Sequence, residues 1–437
     1  MQYIVRAIQR GECCSVVGIS NVGKSFLLRS LTLEAIRQGC TDPGNASLLI
    51  VFVDCLEACD SEQAFYELVV RRMLEDAEVC RLSASEASNL RTNYQGILHS
   101  TTDVAVRAFF YETVRDLTRE RQVRLVLILD EFDDVFRRQP ARVFRQLRAL
   151  RDEMEDRLCY ITATSRQLDK LRSDADTYEF RELFHLRELV LTPLSDEDAG
   201  RFVAYLASNR ATILPLELNN LIIRESGGHP GLMVRIHDIL CSTEASAEAP
   251  SQNLMAGLLD ISPVSEECGR LWDELDKAEQ DALLDLVAQG HTSLDAEQVL
   301  ILKTKGLITT GKNQPLTIYS PIFALFVKRV WDGRQAKPKR IHYDVKTGQV
   351  WAGDYEVTLE LSEPQRKLVA TLCEKSGAIC TYDQIAARVW GTGEGVSPGA
   401  IYELVKRVRQ KVEPDWKNPR YIVTVPGVGY RLESPNQ

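Results

Sequence analysis

The run Gly18-Ile19-Ser20-Asn21-Val22-Gly23-Lys24-Ser25 has the pattern GxxxxGK[ST]. It lies between the apolar stretch Cys14 to Val17, which reads as a strand, and Phe26-Leu27-Leu28-Arg29-Ser30-Leu31, whose apolar spacing is helical. Strand, glycine-rich loop and helix in this order are the context a phosphate-binding loop requires. Backbone N–H groups of the loop and the positive end of the helix face a polyphosphate. Lys24 is expected to reach the β- and γ-phosphates of ATP, and the Ser25 hydroxyl to ligate Mg²⁺. Gly18, Ser20, Asn21, Val22, Gly23 and Phe26 complete the expected nucleotide contact.

A second run, Leu125-Val126-Leu127-Ile128-Leu129-Asp130-Glu131, is continuously apolar and ends in two acids. Such a run suits a strand buried on both faces. Carboxylates at its carboxyl end can hold a metal and orient water. Asp130 is expected to meet Mg²⁺ through its water shell, and Glu131 to polarise the attacking water. Further runs, Ser47 to Asp54, Cys159 to Thr164 and Glu188 to Leu191, alternate with segments of helical period. That alternation predicts an α/β fold, a parallel sheet with helices on both faces.

Four segments are expected: a P-loop ATPase domain over 1–195, a helical lid over 196–262, a winged helix over 263–336, and a second winged helix over 337–437. The lid contains the glycine-rich break Ser226-Gly227-Gly228-His229-Pro230-Gly231, and Gly333 to Lys339 reads as a linker. The 437 residues are 44% hydrophobic, with no apolar stretch of the roughly 18 residues a membrane helix needs. The N-terminus is too short and polar for a secretory signal. The 11 cysteines are odd in number and form no CxxC pair, which argues against a disulfide framework or a zinc site. A cytoplasmic protein without membrane attachment is expected. Its net charge of −9 does not advertise nucleic-acid binding, so any DNA contact must use a local basic face.

By the motifs Gly18 to Ser25, Leu125 to Asp134, Tyr160 to Arg166 and Gly227-Gly228-His229-Pro230, the first 330 residues resemble the STAND branch of AAA-like P-loop ATPases, relatives of the origin-recognition family. The resemblance implies that Arg166, after the fourth strand, touches the γ-phosphate, and that Pro230 in the lid packs near adenine. In relatives a winged-helix histidine contacts the β-phosphate; His291 is the candidate by position but is not assigned that role. His229 reads either as a nucleotide neighbour or as a helix-starting residue without a ligand. Family members usually carry a large sensing repeat domain. None is visible here, so a separate sensor protein is expected to supply the signal.

The C-terminal module resembles the OmpR/PhoB-type winged-helix DNA-binding domain over nearly its whole length. The resemblance rests on Asp344 to Trp351, Tyr355 to Leu359, the capped helix start at Leu361 to Leu368, Tyr382 to Gly391, Val396 to Ile401, and the wing Tyr421 to Leu432. In its recognition helix, Ile401, Val405, Val408 and Val412 recur at helical spacing and should face the core. Tyr402, Lys406, Arg407, Arg409 and Lys411 are expected on the opposite, DNA-facing side of a helix sized for the major groove. Arg407 is assigned a base; Lys406, Arg409 and Lys411 are assigned phosphates. Glu403 and Leu404 stand where relatives often contact the groove, and Pro426 where many have an arginine in the wing.

The combined expectation is an ATP-dependent signal-transduction ATPase acting as a transcriptional regulator of bacterial type. It hydrolyses ATP slowly, as a switch, and nucleotide state controls homo-oligomerisation and binding to double-stranded DNA. Two alternatives stay open: a DNA-remodelling or loading ATPase, and a signalling scaffold whose winged helix binds protein.

Overall fold

The computed structural model describes the chain except residues 41–46, 58–60, 80–83, 121–122, 211–213, 243–256, 290–293, 311–315, 336–340, 354, 359–360, 392–395, 414–415, 417 and 434–437. His291 and the greater part of the expected linker thus lie outside the described residues. The described residues divide into two compact units, Met1–Phe326 and Val327–Gln437.

In the first unit, strands β1 (Cys14–Val17), β2 (Leu48–Asp54), β3 (Arg124–Asp130), β4 (Leu158–Thr164) and β5 (Glu188–Val190) form one sheet in the order β2-β3-β4-β1-β5. Every pairing is parallel, with registers such as Val16↔Ala163, Ile50↔Val126 and Val16↔Leu189. All of β4 is buried, and β3 is buried after its first residue. This explains the unbroken apolar runs, because helices cover both faces and no face alternates toward water. Burying each such Leu, Ile or Val contributes about 1.5–3 kcal/mol. The core continues into Phe132, Phe136, Phe144 and Phe180, whose rings pack at centroid distances of 4.8 to 6.2 Å. Parallel strands put all their carboxyl ends on one edge, so the loop after β1 and the acids after β3 share that edge.

The segment expected to form the lid comprises helices Asp196–Arg210, Leu216–Ser226 and Pro230–Ser242. Gly227 and Gly228, both at positive φ (59° and 76°), join the last two. A Cβ on Gly227 would lie 2.2 Å from the Tyr319 carbonyl oxygen, and one on Gly228 would lie 2.2 Å from that of Leu194. The glycine pair is therefore set both by backbone conformation and by close approach of neighbouring chain. Helices Ser262–Glu274, Lys277–Gln289 and Ala296–Thr304 follow, then the antiparallel hairpin of β6 (Ile308–Thr310) and β7 (Leu316–Ile318).

Helix Pro321–Gln335 runs past the unit boundary. The start of the expected linker, Gly333 to Gln335, is therefore helical. The second unit opens with an antiparallel sheet of β8 (Ile341–Tyr343), β9 (Val350–Ala352) and β10 (Tyr355–Glu356). Helices Glu363–Glu374, Tyr382–Trp390 and Pro398–Val412 come next, with a second sheet ordered β11 (Ile379–Thr381), β13 (Gly429–Leu432), β12 (Ile422–Val425). The helix starts are chemically marked. Gln365 accepts from the Ser362 N–H at 2.9 Å, and the Ser397 hydroxyl accepts from the Ala400 N–H at 3.2 Å.

Candidate functional site

The loop after β1 enters the helix Lys24–Ser30, and its turn uses positive φ at Asn21 (54°) and Gly23 (110°). Lys24 is buried, and its ammonium donates to the carbonyl oxygens of Gly18 (2.7 Å) and Ile19 (3.2 Å). Ile19 and Val22 are buried and anchor the loop from beneath. Ser25 lies beside the Asp130 carboxylate, which is 1% exposed. Burial holds the Asp130 pKa above the ordinary carboxylate range, while Ser25 and the Glu131 N–H pull it down. Its Oδ1 is buried with no hydrogen-bond partner among the described residues. An orphaned carboxylate oxygen beside a serine hydroxyl is a donor set that fits a hard divalent cation such as Mg²⁺.

Beside this pair a cleft of about 320 Å³ is lined by Ser20, Lys24, Glu131, Ser165, Arg166 and Glu274 among others. Glu131 has φ +50°, a left-handed conformation uncommon for a non-glycine residue. Burial raises its pKa, opposed by the nearby Lys24 ammonium. Asp133 accepts from both the N–H (3.1 Å) and the hydroxyl of Ser165, which fixes the segment carrying Arg166. Arg166 Nε donates to the Glu274 carbonyl oxygen at 3.1 Å, and its guanidinium stands 3.9 Å from Asp276.

The outer side of the loop is held by the lid and by the helix Ser262–Glu274. His229 Nε2 meets the Ser20 carbonyl oxygen at 2.9 Å, while its Nδ1 accepts from the Leu232 N–H at 3.2 Å. The imidazole is thus neutral with its hydrogen on Nε2. Burial pushes its pKa down to about 4, Lys24 pushes the same way, and the Ser20 carbonyl opposes both. The Gly231 N–H donates to the Asn21 carbonyl at 3.2 Å. The Asn21 side-chain amide donates to the Glu267 carboxylate at 2.8 Å, and the Ser20 N–H donates to Glu274 Oε2 at 2.7 Å.

In the second unit the helix Pro398–Val412 buries Ile401, Val405, Val408 and Val412. Tyr402 and Arg407 are exposed, and Lys406 stands 3.3 Å from Glu403. Lys411 approaches Gln365 Oε1 at 3.4 Å. Arg409 is 7% exposed and donates to the Ile422 carbonyl (3.0 Å) and the Thr424 hydroxyl (2.9 Å) of β12.

Residues 7–171 match the family model described as AAA domain, and residues 356–432 match the model described as transcriptional regulatory protein, C terminal. The chain carries an N-terminal AAA-type P-loop domain and a C-terminal domain of the OmpR/PhoB type. The C-terminal domain is 38% identical over 94 residues to the sensory transduction protein RegX3 of Mycobacterium leprae, covering 22% of this chain and 46% of that protein. It is 37% identical over 66 residues to the transcriptional regulatory protein YvrH of Bacillus subtilis, covering 15% of this chain and 28% of that protein. The chain spans less than half the length of these relatives. Among solved structures, the Walker-type ATPase of Pyrococcus abyssi aligns with a TM-score of 0.46 at 14% identity, covering 75% of this chain and 94% of that one. No helix among the described residues is long and apolar enough to cross a membrane.

Within the AAA domain, Lys24, Ser25, Asp130 and Glu131 converge on one edge of the sheet, and Arg166 reaches the same cleft. Phe26 is 68% exposed and meets Tyr205 of the lid edge-on at 6.5 Å. Pro230 starts the helix Pro230–Ser242, directly after the histidine that holds the loop. In the OmpR/PhoB-type domain, Arg409 corrects the sequence reading. It is not a phosphate contact but a buried tie between recognition helix and wing. Leu404 is likewise buried in the core. The reading missed Glu267 and Glu274, which lie 246 and 254 residues from their loop partners and carry no local signal. It also passed over Thr164, whose buried hydroxyl at the end of β4 has no hydrogen-bond partner among the described residues. A hydroxyl closing an apolar strand beside the loop was a usable clue.

Proposed function

We propose that this chain is an ATP-dependent transcriptional regulator in which a slow ATPase cycle sets whether the C-terminal domain engages double-stranded DNA. The observation that carries the reading is the buried, unpartnered Asp130 Oδ1 at the sheet edge that also presents the buried Lys24 and Glu131, in a chain that also bears an OmpR/PhoB-type domain. Ser25 and Asp130 would hold Mg²⁺, which neutralises phosphate charge when bound. Lys24 exchanges the Gly18 and Ile19 carbonyls for phosphate oxygens. Glu131 orients a water and takes its proton, and its raised pKa makes it a stronger base. Arg166 stabilises the terminal phosphate.

Nucleotide shifts the conformational equilibrium only by its differential affinity for two states. The γ-phosphate is the group that differs, and a homo-oligomer formed in one state multiplies weak DNA contacts. A separate sensor protein supplies the signal, and the protein acts in the cytoplasm. A second reading, a C-terminal domain that binds protein, is favoured by one observation. Of the expected cationic face, Arg409 is buried and Lys406 is paired with Glu403.

The test is recovery of genomic fragments by the purified protein with ATP, with ADP and without nucleotide, at near-physiological salt. Nucleotide-dependent enrichment of a few fragments is the expected result. Sequence-blind recovery that needs ATP would indicate a loading ATPase. No enrichment in any state would favour the protein-binding reading.

A further inference from the structure

The polar groups of the loop tip are occupied by residues from far along the chain, and Glu274 holds two of the partners that matter most. Its carboxylate accepts from the Ser20 N–H at 2.7 Å, and its main-chain carbonyl accepts from Arg166 Nε at 3.1 Å. Both bonds lie at the cleft that also contains Lys24 and Glu131. A base that activates water must sit beyond the phosphorus under attack, and a P-loop lysine binds the terminal oxygens. The space among Lys24, Glu131 and Arg166 is therefore where a third phosphate goes. A diphosphate ends short of it.

We infer that Glu274 is a specificity-determining residue that sets the preference between nucleoside di- and triphosphate. Its carboxylate occupies the loop N–H on the γ-phosphate side, so a diphosphate binds with the latch in place. A triphosphate brings negative charge against this carboxylate in a partly buried cleft, where like charges repel strongly. Binding ATP then requires the end of the helix Ser262–Glu274 to leave the loop. The same departure frees Arg166, because one residue holds both the Ser20 N–H and the guanidinium. Glu267 has a different part. It is 1% exposed and bonds the Asn21 side-chain amide at 2.8 Å, so it fastens the helix to the loop without occupying a loop N–H.

This inference rests on the nucleotide-binding reading above. The test measures Mg–ATP and Mg–ADP affinity of the full chain by displacement of a fluorescent nucleotide. Wild type, Glu274→Gln, Glu274→Ala and Lys24→Ala are compared, with thermal unfolding checked for each. Glutamine keeps the shape and the acceptor for the Ser20 N–H while removing the charge, and alanine removes both. Both Glu274 variants are expected to tighten ATP on the order of tenfold relative to ADP, equivalent to about 1.4 kcal/mol. An unchanged ATP-to-ADP ratio in both variants, with binding lost in Lys24→Ala, overturns the role of Glu274 and leaves the nucleotide site standing. If wild type binds neither nucleotide, or Lys24→Ala binds as wild type does, the nucleotide-binding reading fails and the inference falls with it.

Discussion

The imidazole of His229 and the main-chain carbonyl of Ser20 lie 2.9 Å apart although 209 residues separate them in sequence. This bond joins the lid to the phosphate loop, and only a neutral ring makes it while its Nδ1 accepts from Leu232. Protonation would turn that acceptor into a donor facing an N–H, inside a fully buried site near Lys24.

A pH dependence follows. Free histidine titrates near 6.5, and His229 in the fold titrates near 4. Between those values the unfolded chain binds a proton that the folded chain excludes, so stability rises with pH across this window and is lost as pH falls from 6.5 toward 4. The full shift corresponds to about 3 kcal/mol. Denaturant unfolding of wild type and His229→Gln at pH 7.5 and pH 5 checks this. The pH-dependent loss should shrink in the variant.

Replacing Lys24 by alanine removes the buried ammonium that holds the Gly18 and Ile19 carbonyls. Charge-assisted hydrogen bonds contribute about 1.5–3 kcal/mol each, so ATP affinity should fall at least tenfold. Calorimetric titration with Mg–ATP measures this, and an unchanged affinity would remove the loop from the nucleotide site.

Glu131→Gln keeps the volume and polarity of the side chain but cannot take a proton. ATP should still bind, and turnover should fall by roughly 10²–10⁴ if Glu131 is the general base. Single-turnover hydrolysis separates the two effects; normal turnover would assign the base elsewhere.

Arg407 and Arg409 lie two residues apart on one helix and should fail differently. Arg407→Ala on the exposed face should leave stability within about 0.5 kcal/mol and cost about 1–3 kcal/mol in discrimination at one base position. Arg409→Ala strips the Ile422 carbonyl and Thr424 hydroxyl of a buried charged donor. It should lower stability by about 1.5–3 kcal/mol and weaken all DNA equally. Thermal unfolding paired with binding to specific and random duplexes distinguishes them.

Much of this protein is legible in its residues. The apolar runs ending at Val17, Asp130 and Thr164 are strands because a sheet covered on both faces demands continuous apolar sequence, and the loop motif carries its own local geometry. The glycine pair at 227–228 marks the lid break for the same local reason. The orientation of Arg409 was not legible. Helical spacing put it beside the exposed cations, yet the wing folds back over that side of the helix and supplies the acceptors that bury it. The sequence by itself determined the sheet, the loop and the C-terminal domain, since each follows from patterns within a few tens of residues. Only the tertiary structure decided that Glu267, Glu274 and His229 meet Ser20 and Asn21. Those bonds join segments more than 200 residues apart, and no local propensity encodes which distant carboxylate or imidazole a loop N–H or carbonyl will meet.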